Sequence, residues 1–449
     1  MIRSPARSTA RSMAPLSVIA LFFLYFFGLT RTGLIGPDEP RYAAIGRAMA
    51  LSGDWVTPRL WGAPWFEKPA LLYWMTAAGF KAGLGAEWAP RLPVALVSVA
   101  FLIYFFILLR REFGKHTAWY SAAILATSAG WLAYSHIAIT DLPMSAAFAA
   151  AMLTLIASTG GARASLSAGA MLGLAVLAKG LVPLVLFIPA LWFLRRRIRD
   201  LALVFAAAAL IAAPWYVLVT LRNGRPFLEE FFWKHHFERF LNSALQHGQP
   251  VWFYVPVLLM ALFPWTPLLA LLFSVRLFQD RRAKFLLAWF AWGFIFFSVS
   301  RNKLPGYLLP LLPPLAALIG IALATAARPQ IFLAACGLLF CIAPPLIEAL
   351  PQALLNGISH VSFHFTPAGI LVCLVLAAGC AAGRREWSVA ALALFAMATV
   401  VWVVWRVYPE LDRQLSGRAA GAVTCLPQTN RSQKYSIDYY TGRDLPDCQ

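Results

Sequence analysis

"APLSVIALFFLYFFGLTRTGLIGPDEPRYA", residues 14–43, changes character half-way. Its first part, 14–30, is almost wholly apolar and just long enough for a helix, rising about 1.5 Å per residue, to cross roughly 30 Å of hydrocarbon. Arg3, Arg7 and Arg11 precede the run, and no small-x-small cleavage site follows it, so it reads as an uncleaved first span. Its second part places Asp38, Glu39 and Arg41 within four positions of one another. Those charges are either solvated loop residues or the lining of a site at a membrane surface.

The rest of the chain favours the membrane. Hydrophobic residues make up 60% of the 449 positions and charged residues only 13%, which excludes an ordinary soluble globule. Apolar runs recur near 14–34, 91–109, 117–135, 143–158, 165–178, 181–194, 200–221, 253–275, 284–300, 305–325, 329–348, 366–382 and 388–406. The expected fold is therefore an all-α polytopic membrane protein with about thirteen transmembrane helices. With the N-terminus inside, the inner connections "RREFGKH" (110–116), "GGARA" (160–164), "RRRIRD" (195–200), "RLFQDRRAK" (276–284), "ATAARP" (324–329) and "GRRE" (383–386) each carry Lys or Arg, with four acids among them. The outer segments 36–90, 222–252 and 408–449 hold acids and bases in near balance. That is the positive-inside asymmetry of a multi-spanning membrane protein. The net charge of +19 is spread over these loops instead of concentrated in one domain, so nucleic acid is excluded as a partner.

"ALLYWMTAAGFKAGLG" (70–85) tempts a further span, but it is short, contains Lys81, and would turn the basic loops outward. It reads as a helix lying along the outer interface, with Tyr73 and Trp74 as anchors. The first periplasmic loop then runs from 36 to 90, long enough to carry function. One transmembrane domain, 1–407, and a small periplasmic C-terminal segment, 408–449, complete the organisation. Cys336, Cys341, Cys373 and Cys380 sit in apolar runs as packing residues. Cys425 and Cys448 lie in the polar tail, where an oxidising compartment permits a disulfide.

Five polar clusters fall on the outer side. They are Asp38-Glu39-Pro-Arg41-Tyr42 with Glu67-Lys68-Pro69; "HIAITDLPM", with Asp141 near His136; "LAKGLVP", with Lys179 at a break between two apolar runs; "EEFFWKHHFERF" (229–240); and "SRNKLPGYLLP" (300–310). Singly, each has a plain reading: loop acids, an N-cap at Asp141, a snorkelling Lys179, surface histidines, a loop Lys303. Together, on one face, they outline an extracytoplasmic site. Carboxylates beside fixed cations suit a phosphate-bearing substrate and a hydroxylated partner: Arg and Lys neutralise phosphate oxygens, and a carboxylate accepts a proton or a divalent metal. Trp55, Trp61, Trp65 and Trp74 suit sugar faces or the interfacial belt.

"GPDEPRYA", "SGDW" (52–55), "WFEKPALLYW" (65–74), "RLPVAL" (91–96), "AITDLPM" (138–144), "LAKGLV" (177–182), "HHFERF" (235–240) and "KLPGYLLPLLPPLA" (303–316) occur in this order. The sequence thereby resembles membrane-embedded C-type glycosyltransferases, in the bacterial branch that contains the aminoarabinose transferase of lipid A and relatives of protein O-mannosyltransferases. The resemblance covers roughly 14–320. It implies an inverting glycosyltransferase that takes sugar from a polyprenyl-phosphate donor on the periplasmic side, with lipid A or another envelope glycolipid as acceptor.

The same resemblance implies a catalytic acid at Asp38, a second acidic position at Asp141 and donor phosphate held by Lys68; as fixed cations on the same side, Arg41 and Lys179 are expected to hold it too. Glu67 and His235 would bind a divalent metal, with no organic cofactor. Glu39, Tyr42, Lys303 and Tyr307 complete the expected site, the last two on a flexible segment that covers it. Two departures are visible. Ala70 stands where the family often has a second Pro, and the tail is shorter than the periplasmic domain of aminoarabinose transferases. Protein O-mannosyltransferase-like transfer to Ser or Thr, and a lipid-linked sugar flippase, are the alternatives. A flippase would place its polar groups at the midplane on repeated broken helices, and no repeat is seen.

Overall fold

The computed structural model describes residues 20–448 except 158–159, 239–247, 274–278, 350–366, 421–422 and 427–429, and for 234–238 and 343–349 it describes the backbone alone. Helices dominate, with a single two-stranded ribbon among the described residues. Five described helices are long and apolar enough to cross a membrane: Trp88–Phe113, Ile198–Asn223, Arg281–Val299, Pro305–Thr325 and Arg385–Arg406. A sixth exists if Val251–Ala261 and Thr266–Phe273, bent by 110°, count as one span.

Three of the expected runs appear as shorter apolar helices, Asp141–Ala157, Gln330–Ile342 and Pro367–Ala382, and two others are divided by local breaks. Run 117–135 divides at Ser128 into Lys115–Thr127 and Ala129–Ser135, and run 181–194 divides into Val182–Leu186 and Ile188–Leu194. Pro183 and Pro189 sit in the first turns of the latter two, where a missing N–H is tolerated and a new helix starts readily. Apolar composition counts residues but is blind to where the backbone turns.

Pro305–Thr325 is the central helix, with 83% of its apolar window buried, whereas Arg385–Arg406 at 28% faces outward. Exposed Trp192, Leu210 and Leu221 coat that outward surface, as lipid-facing side chains do. Ala162–Lys179 packs directly on Ile198–Asn223 through Gly169 and Gly173. A Cβ at Gly169 would stand 2.3 Å from the Val204 carbonyl oxygen, and one at Gly173 2.7 Å from that of Ala208, so small residues four apart let two backbones touch. This contact fixes Lys179 at the end of its helix.

The connections sort into two groups by their contacts. At one end Asp54 pairs with Arg222, Lys303 bonds Gln249, and the tail packs on 29–36 and on Glu87. At the other, Glu112 meets Arg282, His116 meets Glu386, and Arg385 donates to the carbonyls of Ala324 and Ala326. The first group comprises segments read from the sequence as outer, the second segments read as inner.

Two features differ from expectation. Tyr73 is not an interfacial anchor: helix Leu71–Lys81 packs between Glu39–Ser52 and Trp88–Phe113, burying Tyr73 completely against Tyr42, their ring centroids 5.8 Å apart. Trp74 is half-buried, and its indole N–H donates to the Trp55 carbonyl at 2.7 Å. The tail, in turn, folds back onto the first outer loop. Its helices Tyr408–Leu415 and Arg431–Thr441 bring Asp412 to the Gly33 amide (2.5 Å), Ser436 to the Leu34 carbonyl (2.7 Å) and the Tyr440 hydroxyl to the Leu34 amide (2.9 Å). A Cys425–Cys448 disulfide closes it.

Candidate active site

The Glu39–Ser52 helix starts where Pro40 pre-sets the first turn, which leaves Asp38 at the N-cap and Arg41 three residues on, over the same face. Asp38 caps no backbone N–H; its carboxylate accepts from Arg41 Nη2 instead. Downstream, the ribbon pairs Arg59–Leu60 with Ala63–Pro64 across a two-residue turn in which Trp61 (φ 50°) and Gly62 (φ 86°) both adopt positive φ. The reversal returns Glu67 and Lys68 to the helix start. There Arg41 Nη2 lies 3.0 Å from Glu67 Oε2, and Lys68 Nζ 3.2 Å from Glu67 Oε1. A relay of ion pairs results: Asp38–Arg41–Glu67–Lys68. Asp38 keeps 40% of its side chain exposed, while Arg41 keeps 3%.

Burial opposes the charge on Arg41, but Glu67 and Asp38 outweigh it and hold the guanidinium charged, well above its ordinary range. Its carbon lies over the rings of Trp65 (5.2 Å), Tyr435 (5.3 Å) and Tyr42 (5.4 Å). Burial, reinforced by Asp38 and Glu67, pushes the Tyr42 phenol far up, so it stays neutral. Arg41 Nε, Trp65 Nε1 and the Tyr73 hydroxyl are buried donors with no hydrogen-bond partner among the described residues. Such groups cost about 1–3 kcal/mol each, so an oxygen-rich ligand placed among them is favoured.

A second cluster forms one helix away. Asp141 opens the helix Asp141–Ala157, and its Oδ1 accepts from Lys179 Nζ at 2.5 Å. The N-cap reading of Asp141 is corrected accordingly: the side chain makes a cross-helix ion pair, as an acid in the first turn readily does. Nor does Lys179 snorkel; it is largely buried, and its ammonium stands 4.7 Å from the centre of the Tyr307 ring. Gly306 permits this assembly, because a Cβ there would meet Asp141 Oδ1 at 2.6 Å and the Tyr134 ring at 2.7 Å. Asp141 and Asp38 both lie near enough to the Tyr134 hydroxyl for their charges to act on it, so the two clusters are neighbours.

Two expected site residues sit elsewhere. Glu39 points away from Asp38 and is 1% exposed. Its oxygens accept from Arg91 Nε and Nη2, both at 2.7 Å, and from the amides of Ala138 (2.9 Å) and Ile35 (3.2 Å). Lys303 does not ride on a flexible cover: it is buried, and its ammonium donates to the carbonyls of Gln249 (3.0 Å) and Ser300. Burial pushes its amine below the usual range. His235 falls on the helix Glu229–Glu238, and its side chain lies outside the described residues. Among the described residues no group of three metal-ligating side chains exists.

With this geometry in place, comparison with known proteins is direct. Over 89% of its length the chain is 34% identical to an undecaprenyl phosphate-alpha-4-amino-4-deoxy-L-arabinose arabinosyl transferase of Pseudomonas aeruginosa, spanning 76% of that protein. The chain belongs to the aminoarabinose transferase family. The Erwinia tasmaniensis transferase of the same description is 31% identical over 86% of the chain and 76% of its own length. Residues 67–222 match the family model for dolichyl-phosphate-mannose-protein mannosyltransferase. Among solved structures, ArnT from Cupriavidus metallidurans bound to undecaprenyl phosphate superposes with a TM-score of 0.78 at 26% identity, covering 97% of this chain and 86% of that one. The archaeal oligosaccharyltransferase AglB of Archaeoglobus fulgidus, at a TM-score of 0.54 and 12% identity, shares the fold alone.

Sequence reasoning missed Arg91, Tyr134, Gly306 and Tyr435. Arg91 left a signal: an arginine inside an apolar run, next to an acidic loop, needs a partner. Tyr435 left none, because nothing local links residue 435 to residue 41.

Proposed function

We propose that this member of the family transfers a sugar from a polyprenyl-phosphate donor to an envelope acceptor, with lipid A as the first candidate and 4-amino-4-deoxyarabinose, the pentose in its relatives' names, as the sugar. The reaction is placed on the periplasmic side of the inner membrane, in a thirteen-span topology. The observation that carries this reading is the relay Asp38–Arg41–Glu67–Lys68 beside three buried donors without a partner among the described residues, next to Asp141–Lys179–Tyr307.

In the proposed reaction the bond between the anomeric carbon and the donor phosphate oxygen breaks, and an acceptor oxygen bonds that carbon from the opposite face, inverting it. The electron pair leaves with the phosphate, which departs as polyprenyl phosphate. Arg41 and Lys68, with Lys179 of the neighbouring cluster, hold the phosphate oxygens. They are fixed in place before reaction, so the charge that develops there needs no reorganisation. Asp38, half-exposed at the mouth, takes the proton when the acceptor is a hydroxyl; for an anionic phosphate acceptor it only positions.

Glu67 with His235 would hold a divalent ion, whose contribution would be Lewis-acid neutralisation of the phosphate. The described part of that set is one carboxylate already between two cations, and no step here passes through a metal. Loss of transfer on chelation, restored by a divalent ion, would establish one.

The test is Asp38→Asn in purified protein, with radiolabelled polyprenyl-phosphate sugar and lipid A. Transfer should fall at least a thousand-fold while the melting temperature stays that of the wild type. Wild-type turnover in the variant would refute the assignment. The match to the mannosyltransferase model supports one other acceptor class, so a Ser/Thr peptide belongs in the same assay.

A further inference from the structure

Arg41 is the joint of the relay: Nη2 meets both Asp38 and Glu67. A guanidinium is planar, and two contacts on one nitrogen leave it free to swing about that edge. Its faces must be fixed by something else. Trp65 and Tyr42, from the same loop, supply two rings. Tyr435, from the C-terminal tail, supplies the third at 5.3 Å.

Tyr435 is itself held firmly. Next to it, Ser436 donates to the Leu34 carbonyl at 2.7 Å and accepts from the Gly417 amide at 2.8 Å. Arg47 Nη2, on the helix that carries Arg41, donates to the Tyr439 carbonyl at 2.8 Å, and its guanidinium lies over the Tyr439 ring at 4.6 Å. The tail helix is thus tied to the first loop on both sides of Arg41, at Leu34 and at Arg47, and Tyr435 directly precedes the first of these ties.

We propose that Tyr435 is a positioning residue for transfer: its ring fixes the plane of Arg41, and through it the Asp38 and Glu67 carboxylates, so that the tail is part of the catalytic apparatus. This rests on the reading of the Asp38–Lys68 cluster as the transfer site. The interaction is electrostatic, because the negative face of the ring meets a buried cation. Side-chain size alone therefore does not reproduce it.

The test measures single-turnover transfer from radiolabelled polyprenyl-phosphate sugar. Tyr435→Phe keeps the ring and should keep the wild-type rate. Tyr435→Leu, of similar bulk without a ring, should lower the rate about ten-fold with an unchanged melting temperature, and the loss should vanish in an Arg41→Gln background, where no cation faces the ring. Should Tyr435→Leu fail to fold, phenylalanines carrying increasing numbers of fluorines at 435 keep the shape while draining the ring face, and the rate should fall in step with fluorination. A wild-type rate in Tyr435→Leu, a loss undiminished beside Arg41→Gln, or a rate flat across the fluorinated series overturns the proposal. Asp38→Asn is the control. If it transfers at the wild-type rate, the reading of the site has failed; if it is inactive and Tyr435→Leu is not impaired, only the role of Tyr435 has failed.

Discussion

Glu39→Gln separates a structural brace from a chemical group. In the wild type both Glu39 oxygens are saturated: Oε1 accepts from Arg91 Nε and the Ala138 amide, Oε2 from Arg91 Nη2 and the Ile35 amide. All four partners are donors. A glutamine has the same shape but must turn an NH2 toward one pair of them, which abolishes two hydrogen bonds and sets donor against donor. It also leaves the Arg91 charge, 3% exposed, with only the carbonyls of Leu29, Thr32 and Gly33 around it. A lost charge-assisted bond costs about 1.5–3 kcal/mol and a lost neutral one about 1, and stranding a buried charge brings comparable cases to about 3–5 kcal/mol. The expected loss is therefore about 3–5 kcal/mol, read as a lower melting temperature in detergent and earlier unfolding by SDS. The fraction that remains folded should still transfer sugar within about three-fold of wild type, because Glu39 does not face the relay. Replacing both partners, Glu39→Leu with Arg91→Leu, should be milder than Arg91→Leu alone, since no charge is stranded. A Glu39→Gln protein that melts like the wild type but has lost transfer would refute the reasoning and move Glu39 into the chemistry.

Three further outcomes follow from other contacts. Cys425→Ser opens a link between residues 23 apart, and loop-closure entropy puts the cost at about 3 kcal/mol; the tail should become protease-sensitive before the helical bundle does, as limited proteolysis would record. Gly306→Ala places a Cβ 2.6 Å from Asp141 Oδ1, so it should lower transfer about ten-fold or more while leaving the binding proposed for Lys68 and Arg41 measurable by titration with polyprenyl phosphate. Burial raises the Asp54 pKa, but the amides of Thr57 and Val56, with Arg222, outweigh it and hold the carboxyl below its ordinary value. A depressed folded-state value stabilises above the unfolded pKa and is lost as pH falls through the folded one. Melting curves of wild type and Asp54→Asn should therefore differ at neutral pH and converge as pH drops below about 4.

Which charged residues gather was more legible in the sequence than how they pair. Asp38, Arg41, Glu67 and Lys68 were legible because they are close in the chain and stand out in an apolar background, and all four do meet. Lys179 and Asp141 were legible for the same reason, although their pairing was not: one ends a helix and the other begins one 38 positions earlier. Glu39 and Lys303 were misplaced by a single limitation. A charged residue in an outer loop looks the same in sequence whether it faces a substrate or an internal staple, and only the partner, Arg91 or the Ser300 and Gln249 carbonyls, distinguishes them. The tail was opaque for a different reason. Its bonds to Gly33, Leu34 and Arg47 join the two ends of the chain, and most run through backbone groups that any sequence possesses.

The charge balance of the site bears on how such a reaction would be driven. Asp38, Arg41, Glu67 and Lys68 sum to zero, and so do Asp141 and Lys179. Free cations would grip a phosphate tightly before and after reaction alike, and uniform binding of that kind does not raise the rate. Paired cations behave differently. A sugar phosphodiester carries one negative charge, and the polyprenyl phosphate that leaves carries nearly two. The existing carboxylates partly screen the first charge, while the second develops at fixed ammonium and guanidinium groups already oriented by those same carboxylates. At about 4 Å and an effective dielectric constant near 20, one added charge interacts with one cation by about 4 kcal/mol. Even a fraction of that, realised only as the bond breaks, is worth a factor of ten to a hundred in rate. On this argument Glu67, the shared partner of Arg41 and Lys68, sets how much of the cations' attraction is withheld until the transition state. Glu67→Gln should then bind polyprenyl phosphate more tightly than wild type while transferring sugar more slowly, and a variant that binds more weakly and also turns over more slowly would show that Glu67 serves only to hold the cations in place.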